Sequence, residues 1–140
     1  MLATSGLALG AGSASATTPD DAPYECGGRL VDDGPWPVRS DGPTEGQIIG
    51  RIYLYYNAPT NSNCAKLENY NGSTAYLKMR KGFASNPGPW SPTDVEMSGR
   101  NAVVKLGGTG GVCIQVDAFI SKPHINGESG DFRTGWVACG

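Results

Sequence analysis

The chain has 140 residues, with 11 basic and 13 acidic side chains and a formal net charge of −2. No Lys/Arg run is present to neutralise a phosphate backbone, so a nucleic-acid partner is not expected, and no stretch reaches the ~18 apolar residues a membrane-spanning helix needs. The four cysteines, Cys26, Cys64, Cys113 and Cys139, are even in number and predict an oxidising destination with two disulfides.

Residues 1–16 read as the remnant of an export signal. Residues 2–14 are apolar or small, and Ala14 and Ala16 place small side chains where a signal peptidase reads, so cleavage is expected after Ala16. The run has no basic residue at its start, and the native start is therefore expected upstream of Met1. Residues 17–23 follow as a polar tail, expected to be mobile. Residues 24–140 are expected to form a single secreted β-domain.

Cys26 precedes a short apolar run, Arg29-Leu30-Val31, and residues 32–46, with three Pro and three Gly, read as a loop. The first strong strand spans residues 47–57. Ile48, Ile52, Leu54 and Tyr56 lie on one face with Gly50 between them; Ile49, Arg51, Tyr53 and Tyr55 lie on the other. Residues 58–63 turn the chain and residues 64–70 return. Asn71-Gly72 carries the strongest hairpin signal, because both residue types tolerate the positive φ of a type I′ turn. Residues 73–81 are its expected partner strand. Across that hairpin Ala65 and Leu67 match Ala75, Leu77 and Met79 as one apolar face, with Lys66, Glu68, Tyr70, Tyr76, Lys78 and Arg80 on the wet side.

Residues 82–93 form a second Gly/Pro-rich loop. Val95-Glu96-Met97 and residues 101–106 read as strands joined by Ser98-Gly99-Arg100, and residues 107–111 as a flexible turn. Residues 112–120 are the best buried strand, with Val112, Ile114, Val116, Ala118 and Ile120 on one face. Asn126-Gly127 marks a further turn, and residues 133–139 close the chain as a last strand. About seven strands at this spacing predict an all-β fold, an antiparallel β-sandwich or a partly closed barrel, with no helix. Of the three possible connectivities we favour Cys26–Cys64 with Cys113–Cys139, one staple per half, each worth roughly 3–4 kcal/mol by chain entropy.

Several of these features occur together in one family. Cys26-Gly27, the strand Gly50-Arg51-Ile52-Tyr53-Leu54-Tyr55-Tyr56-Asn57, Asn63-Cys64, Gly111-Val112-Cys113-Ile114 and the closing Cys139-Gly140 resemble the spore-associated protein A family, small secreted proteins of filamentous actinobacteria. The resemblance covers nearly all of the chain after the export signal. It implies an exported protein of the aerial-growth or spore surface without an assigned enzymatic role, and it carries over no catalytic residues.

The residues themselves point to no reaction centre. His124 is the single histidine and sits beside a predicted turn; no Gly-x-Ser-x-Gly elbow occurs, and bridged cysteines supply no thiolate. Acids such as Asp32, Asp33 and Asp41 fall in loops without a fixed calcium-loop pattern; Asp117 is the most notable, on a strand opposite an apolar face, but nothing sets two acids at the separation hydrolysis requires. No catalytic residue, cofactor or metal site is expected. The sharper signal is aromatic. Trp36 and Trp90 each sit in a proline-stiffened loop, where a flat indole can stack on a sugar ring or an apolar side chain at low entropic cost. Tyr53, Tyr55 and Arg51 extend that candidate binding surface. The competing structural role is capping of the sandwich by the indoles and cross-strand pairing by the tyrosines. Trp136 is expected in the core, and the sequon Asn71-Gly72-Ser73 is better explained by its turn. The expected function is non-enzymatic adhesion at the cell or spore surface, the partner being wall or spore-surface polymer or another surface protein. A proteinaceous inhibitor presenting residues 82–93, or a small carbohydrate-binding module, is the alternative.

Overall fold

The structure, a computed structural model, describes residues 26–140. The export signal at 1–16 and the tail at 17–23 lie outside the described residues. Within them the chain forms ten strands and no helical segment: β1 Arg29–Leu30, β2 Trp36–Arg39, β3 Ile48–Asn57, β4 Ser62–Asn69, β5 Ala75–Phe83, β6 Asn86–Pro87, β7 Asp94–Glu96, β8 Ala102–Gly107, β9 Cys113–Ile120 and β10 Gly130–Arg133. Two antiparallel sheets result. The first runs β1-β3-β4-β8, with β2 also pairing β3; the second runs β10-β9-β5-β6, with β7 also pairing β5.

The sheets pack face to face because each strand alternates apolar and polar residues. Ile52 and Leu54 of β3, Leu67 of β4, Leu77 and Met79 of β5, and Ile114, Val116 and Ile120 of β9 meet in one core and are fully buried. The edges also approach each other. The Asp41 amide donates to the Ser129 carbonyl at 2.9 Å beside β2 and β10, and the Val103 amide of β8 donates to Asp94 Oδ2 of β7 at 2.9 Å. The sandwich is thus partly closed into a barrel. Cys26 pairs with Cys64 and Cys113 with Cys139, the connectivity favoured from the sequence.

The hairpin expected at Asn71-Gly72 is not one. β4 and β5 belong to different sheets, so the two apolar faces meet across the core instead of lying side by side. Period-two alternation fits either arrangement equally well, and the side chains of the crossing decide between them. Asn69 Nδ2 donates to the Ser73 carbonyl at 2.8 Å, and its Oδ1 accepts from the Asn71 amide at 2.9 Å. Asn71 Nδ2 donates to the carbonyls of Ser121 at 3.0 Å and Glu128 at 2.7 Å. Gly72 has φ +68°, whereas Asn71 does not take the positive φ that a type I′ turn needs. The join at Ser98-Gly99-Arg100 likewise links β7 and β8 in opposite sheets.

Three further expectations change. Residues 32–46 contain β2, an edge strand, where Pro37 costs no ladder bond that the sheet requires. Ile49 faces the core, not the outer side. The β2–β3 register passes from Val38↔Gly50 to Arg39↔Ile48, so Ile49 is the extra residue of a bulge and turns inward. Gly50 beside it admits no side chain, since a Cβ would collide with the Glu68 carbonyl oxygen and Ile120 Cδ1. Finally, the closing strand is Gly130–Arg133; beyond it only Val137 bridges Ile114, and Val112 lies outside β9.

Candidate functional site

The expected binding residues divide between the two sheets. Arg51, Tyr53 and Tyr55 lie together on the outer face of the first sheet, since Ile52 and Leu54 between them point inward. Opposite them on β4 stand Glu68, Lys66 and Cys64. Lys66 is only 4 % exposed, its ammonium 5.3 Å from the centre of the Tyr53 ring and 3.1 Å from Glu68 Oε2. The Tyr70 hydroxyl donates to Glu68 Oε1 at 2.5 Å, and Arg51 Nη1 lies 3.5 Å from that hydroxyl. Burial pushes the Tyr53 phenol up to about 12, assisted by the charge of Glu68. Burial alone would raise Glu68 too, but the hydrogen bonds from Tyr70 and Lys66 outweigh it and hold the carboxyl below its ordinary range. Tyr55 packs on the Cys26–Cys64 bridge beside Val103. The polar groups of this face are largely satisfied by one another.

Trp36 stands in a strand, not on a presented loop. It lies opposite Ile52 in β2 and packs half-buried against the core, the capping role weighed for it above. It is not brought together with Trp90.

Trp90 lies on the outer face of the second sheet. Its segment is tied along β5: the Gly88 amide donates to the Lys81 carbonyl at 3.0 Å, the Ser91 amide to the Met79 carbonyl at 2.8 Å, and the Met79 amide to Ser91 Oγ at 3.0 Å. Residues 82–93 are therefore laid along a strand edge, apart from the β5–β6 turn, where Phe83 is exposed. So held, the Trp90 ring collects three cations. Arg80 is 4.3 Å from its centre, Lys78 4.8 Å and Arg133 5.0 Å. Arg80 also stands 5.2 Å from Trp136, so one guanidinium serves two indoles. Trp136, expected in the core, is half-buried here, because its neighbour Val137 bridges Ile114 and takes the place against the core.

Cross-strand neighbours complete this face in rows. Arg80 donates through Nε to Gln115 Oε1 at 2.9 Å, and Gln115 donates to the Thr134 carbonyl at 3.0 Å. Lys78, Asp117 and Arg133 are in register, with Asp117 3.1 Å from Arg133 and 4.0 Å from Lys78. Val95, Tyr76 and Phe119 form the next row, all exposed, with the Tyr76 and Phe119 rings 5.6 Å apart. A shallow cavity of about 220 Å³ lies between the last two rows, bordered by Tyr76, Lys78, Thr93, Asp117 and Phe119. Sequence reasoning marked Lys78 and Arg80 as wet-side residues and Asp117 as unusual. It did not assign Arg133 or Trp136 to this face: both fell in the expected last strand at 133–139, and Trp136 was expected in the core.

His124 is exposed in its loop, and among the described residues no three metal-ligating side chains cluster. The Asn71 amide of the sequon is engaged with two carbonyls, in keeping with a structural role. No helix among the described residues is long and apolar enough to cross a membrane. Comparison with protein-family models, curated proteins and solved structures gave no match. Fold and face together define a disulfide-stapled antiparallel β-sandwich that carries an aromatic–cationic outer sheet.

Proposed function

We propose that this is a secreted, non-enzymatic protein associated with the cell or spore surface, which adheres to a wall or spore-surface polymer through the outer face of its second sheet. The observation that carries the reading is the Trp90 cluster, an indole fixed in place by its backbone and surrounded by Arg80, Lys78 and Arg133. Prearranged aromatic and cationic groups bind with little ordering cost, which suits an adhesion module. Two disulfides suit an extracellular setting. The resemblance to the spore-associated protein A family supports the same location.

The test is co-sedimentation of the oxidised protein with purified cell wall, spore-coat material, chitin and cellulose. Saturable binding to at least one is expected, lost in Trp90→Ala and kept by the folded fraction of Trp36→Ala. Absence of binding to all four by protein with native near-ultraviolet circular dichroism would overturn the reading. One observation favours an inhibitor instead: the β5–β6 turn projects an exposed Phe83 that could anchor in an enzyme's pocket. Stoichiometric loss of a protease activity, abolished by Phe83→Ala, would decide for it.

A further inference from the structure

Resting on the adhesion reading, we infer that the polymer held by the second sheet is an acidic polysaccharide, a chain of sugar rings bearing carboxylates. The inference begins with Arg80. Its guanidinium carbon lies 4.3 Å from the centre of the Trp90 ring and 5.2 Å from that of Trp136, and the group carries five N–H donors. One of these, on Nε, is taken by the neutral side-chain carbonyl of Gln115. Among the described residues no carboxylate forms an ion pair with Arg80. It is a cation locked in orientation with donors to spare, and a carboxylate is the group its fork matches in two parallel hydrogen bonds.

Charge on the face points the same way. Lys78, Arg80 and Arg133 oppose two carboxylates, Asp117 and Asp131, so the patch is positive on a chain whose net charge is −2. That combination selects for sparse charge. A nucleic acid, with one phosphate per ~1.7 Å of duplex axis, would meet the repulsion of the whole molecule for the sake of a few local cations. A uronate chain brings one carboxylate per sugar, together with ring faces for which this surface has platforms. Along β5, three residues separate Tyr76 from the level between Lys78 and Arg80 where Trp90 lies, and that is ~10 Å at strand rise. The Tyr76–Phe119 pair and the Trp90 ring are therefore set apart along the strand, with Lys78, Asp117 and Arg133 between them. The 220 Å³ cavity opens beside the Tyr76–Phe119 pair and reaches Lys78 and Asp117.

The experiment measures binding of the full oxidised chain to polygalacturonate, to the same polymer after reduction of its carboxyls to neutral galactose units, and to single-stranded DNA, by isothermal titration calorimetry. Binding to polygalacturonate is expected, at least about tenfold weaker in Arg80→Gln, the worth of one charge-assisted hydrogen bond. It should become tighter in Asp117→Asn, which unmasks Lys78 and Arg133; a variant that merely folds badly cannot bind more tightly. Equal affinity for the reduced polymer would overturn the acidic class while leaving adhesion intact. Stronger binding to DNA would overturn it in favour of a nucleic-acid partner. Co-sedimentation with wall material without any affinity for polygalacturonate would also overturn it and leave the adhesion reading standing.

Discussion

Asn71→Asp separates the fold observed here from the hairpin its sequence suggests. At a type I′ turn Asp is nearly as good as Asn, so a hairpin would absorb the change with little loss. In the crossing between β4 and β5 the amide nitrogen donates to two carbonyls, Ser121 at 3.0 Å and Glu128 at 2.7 Å. Aspartate replaces both donors with an anionic oxygen facing two acceptors. Each partly buried carbonyl left unpaired costs ~1–3 kcal/mol, and charge repulsion adds to the loss. A destabilisation of about 3 kcal/mol is expected, a fall in Tm on the order of 10 °C for a domain of this size. Differential scanning calorimetry at pH 7 without reductant measures it, with urea unfolding to check that the m-value is unchanged. Asn71→Ala provides the scale. It loses the same bonds without the repulsion and should fall between wild type and Asn71→Asp. The reasoning is refuted if Asn71→Asp melts within a degree or two of wild type while Asn71→Ala is clearly destabilised, because that order belongs to a turn.

Leu77→Ala removes a fully buried side chain from the centre of the core, with an expected loss of ~2–5 kcal/mol in denaturant unfolding. Glu68 should make a pH-dependent contribution. Its carboxyl titrates lower in the folded chain than its ordinary 4.5, so the folded state favours the ionised form. The stabilisation is complete above that ordinary value and is lost as pH falls through the lower folded one. Glu68→Gln should therefore flatten the acid limb of the stability–pH curve below the ordinary carboxyl value; an unchanged slope would discount the Lys66–Glu68–Tyr70 network.

The fold was legible where one face of a strand meets the core. Alternation along 47–57, 64–70 and 112–120 identifies β3, β4 and β9 and most of their buried residues, because burial on one side imposes period two on the sequence. The same physics leaves open which strands are neighbours. Ala65-x-Leu67 and Ala75-x-Leu77-x-Met79 satisfy a shared sheet and a facing pair alike, and what selects the facing pair is a set of side-chain bonds from Asn69 and Asn71 to residues up to 57 positions away. Ile49 was misplaced for a related reason. A single bulge reverses the alternation, and nothing in Gln47-Ile48-Ile49-Gly50 announces it except the glycine that the close approach of Glu68 and Ile120 requires.

The candidate site lay at a further remove. Proline spacing around Trp36 and Trp90 looks alike in the chain, yet one segment enters the first sheet and the other is laid along β5. The difference comes from what each indole meets. Trp36 finds the apolar side chains of the core, and Trp90 finds Lys78 and Arg80 projecting from the wet side of β5. Lys78 and Arg80 were visible as wet-side residues, but their role depends on Trp90, ten residues on, and on Arg133 and Trp136, more than fifty residues on. A cation gains most beside an aromatic face and a carboxylate, and Arg133 has both in Trp90 and Asp117. Among the described residues Arg80 has the aromatic rings without a paired carboxylate, and that is the feature from which a ligand can be argued.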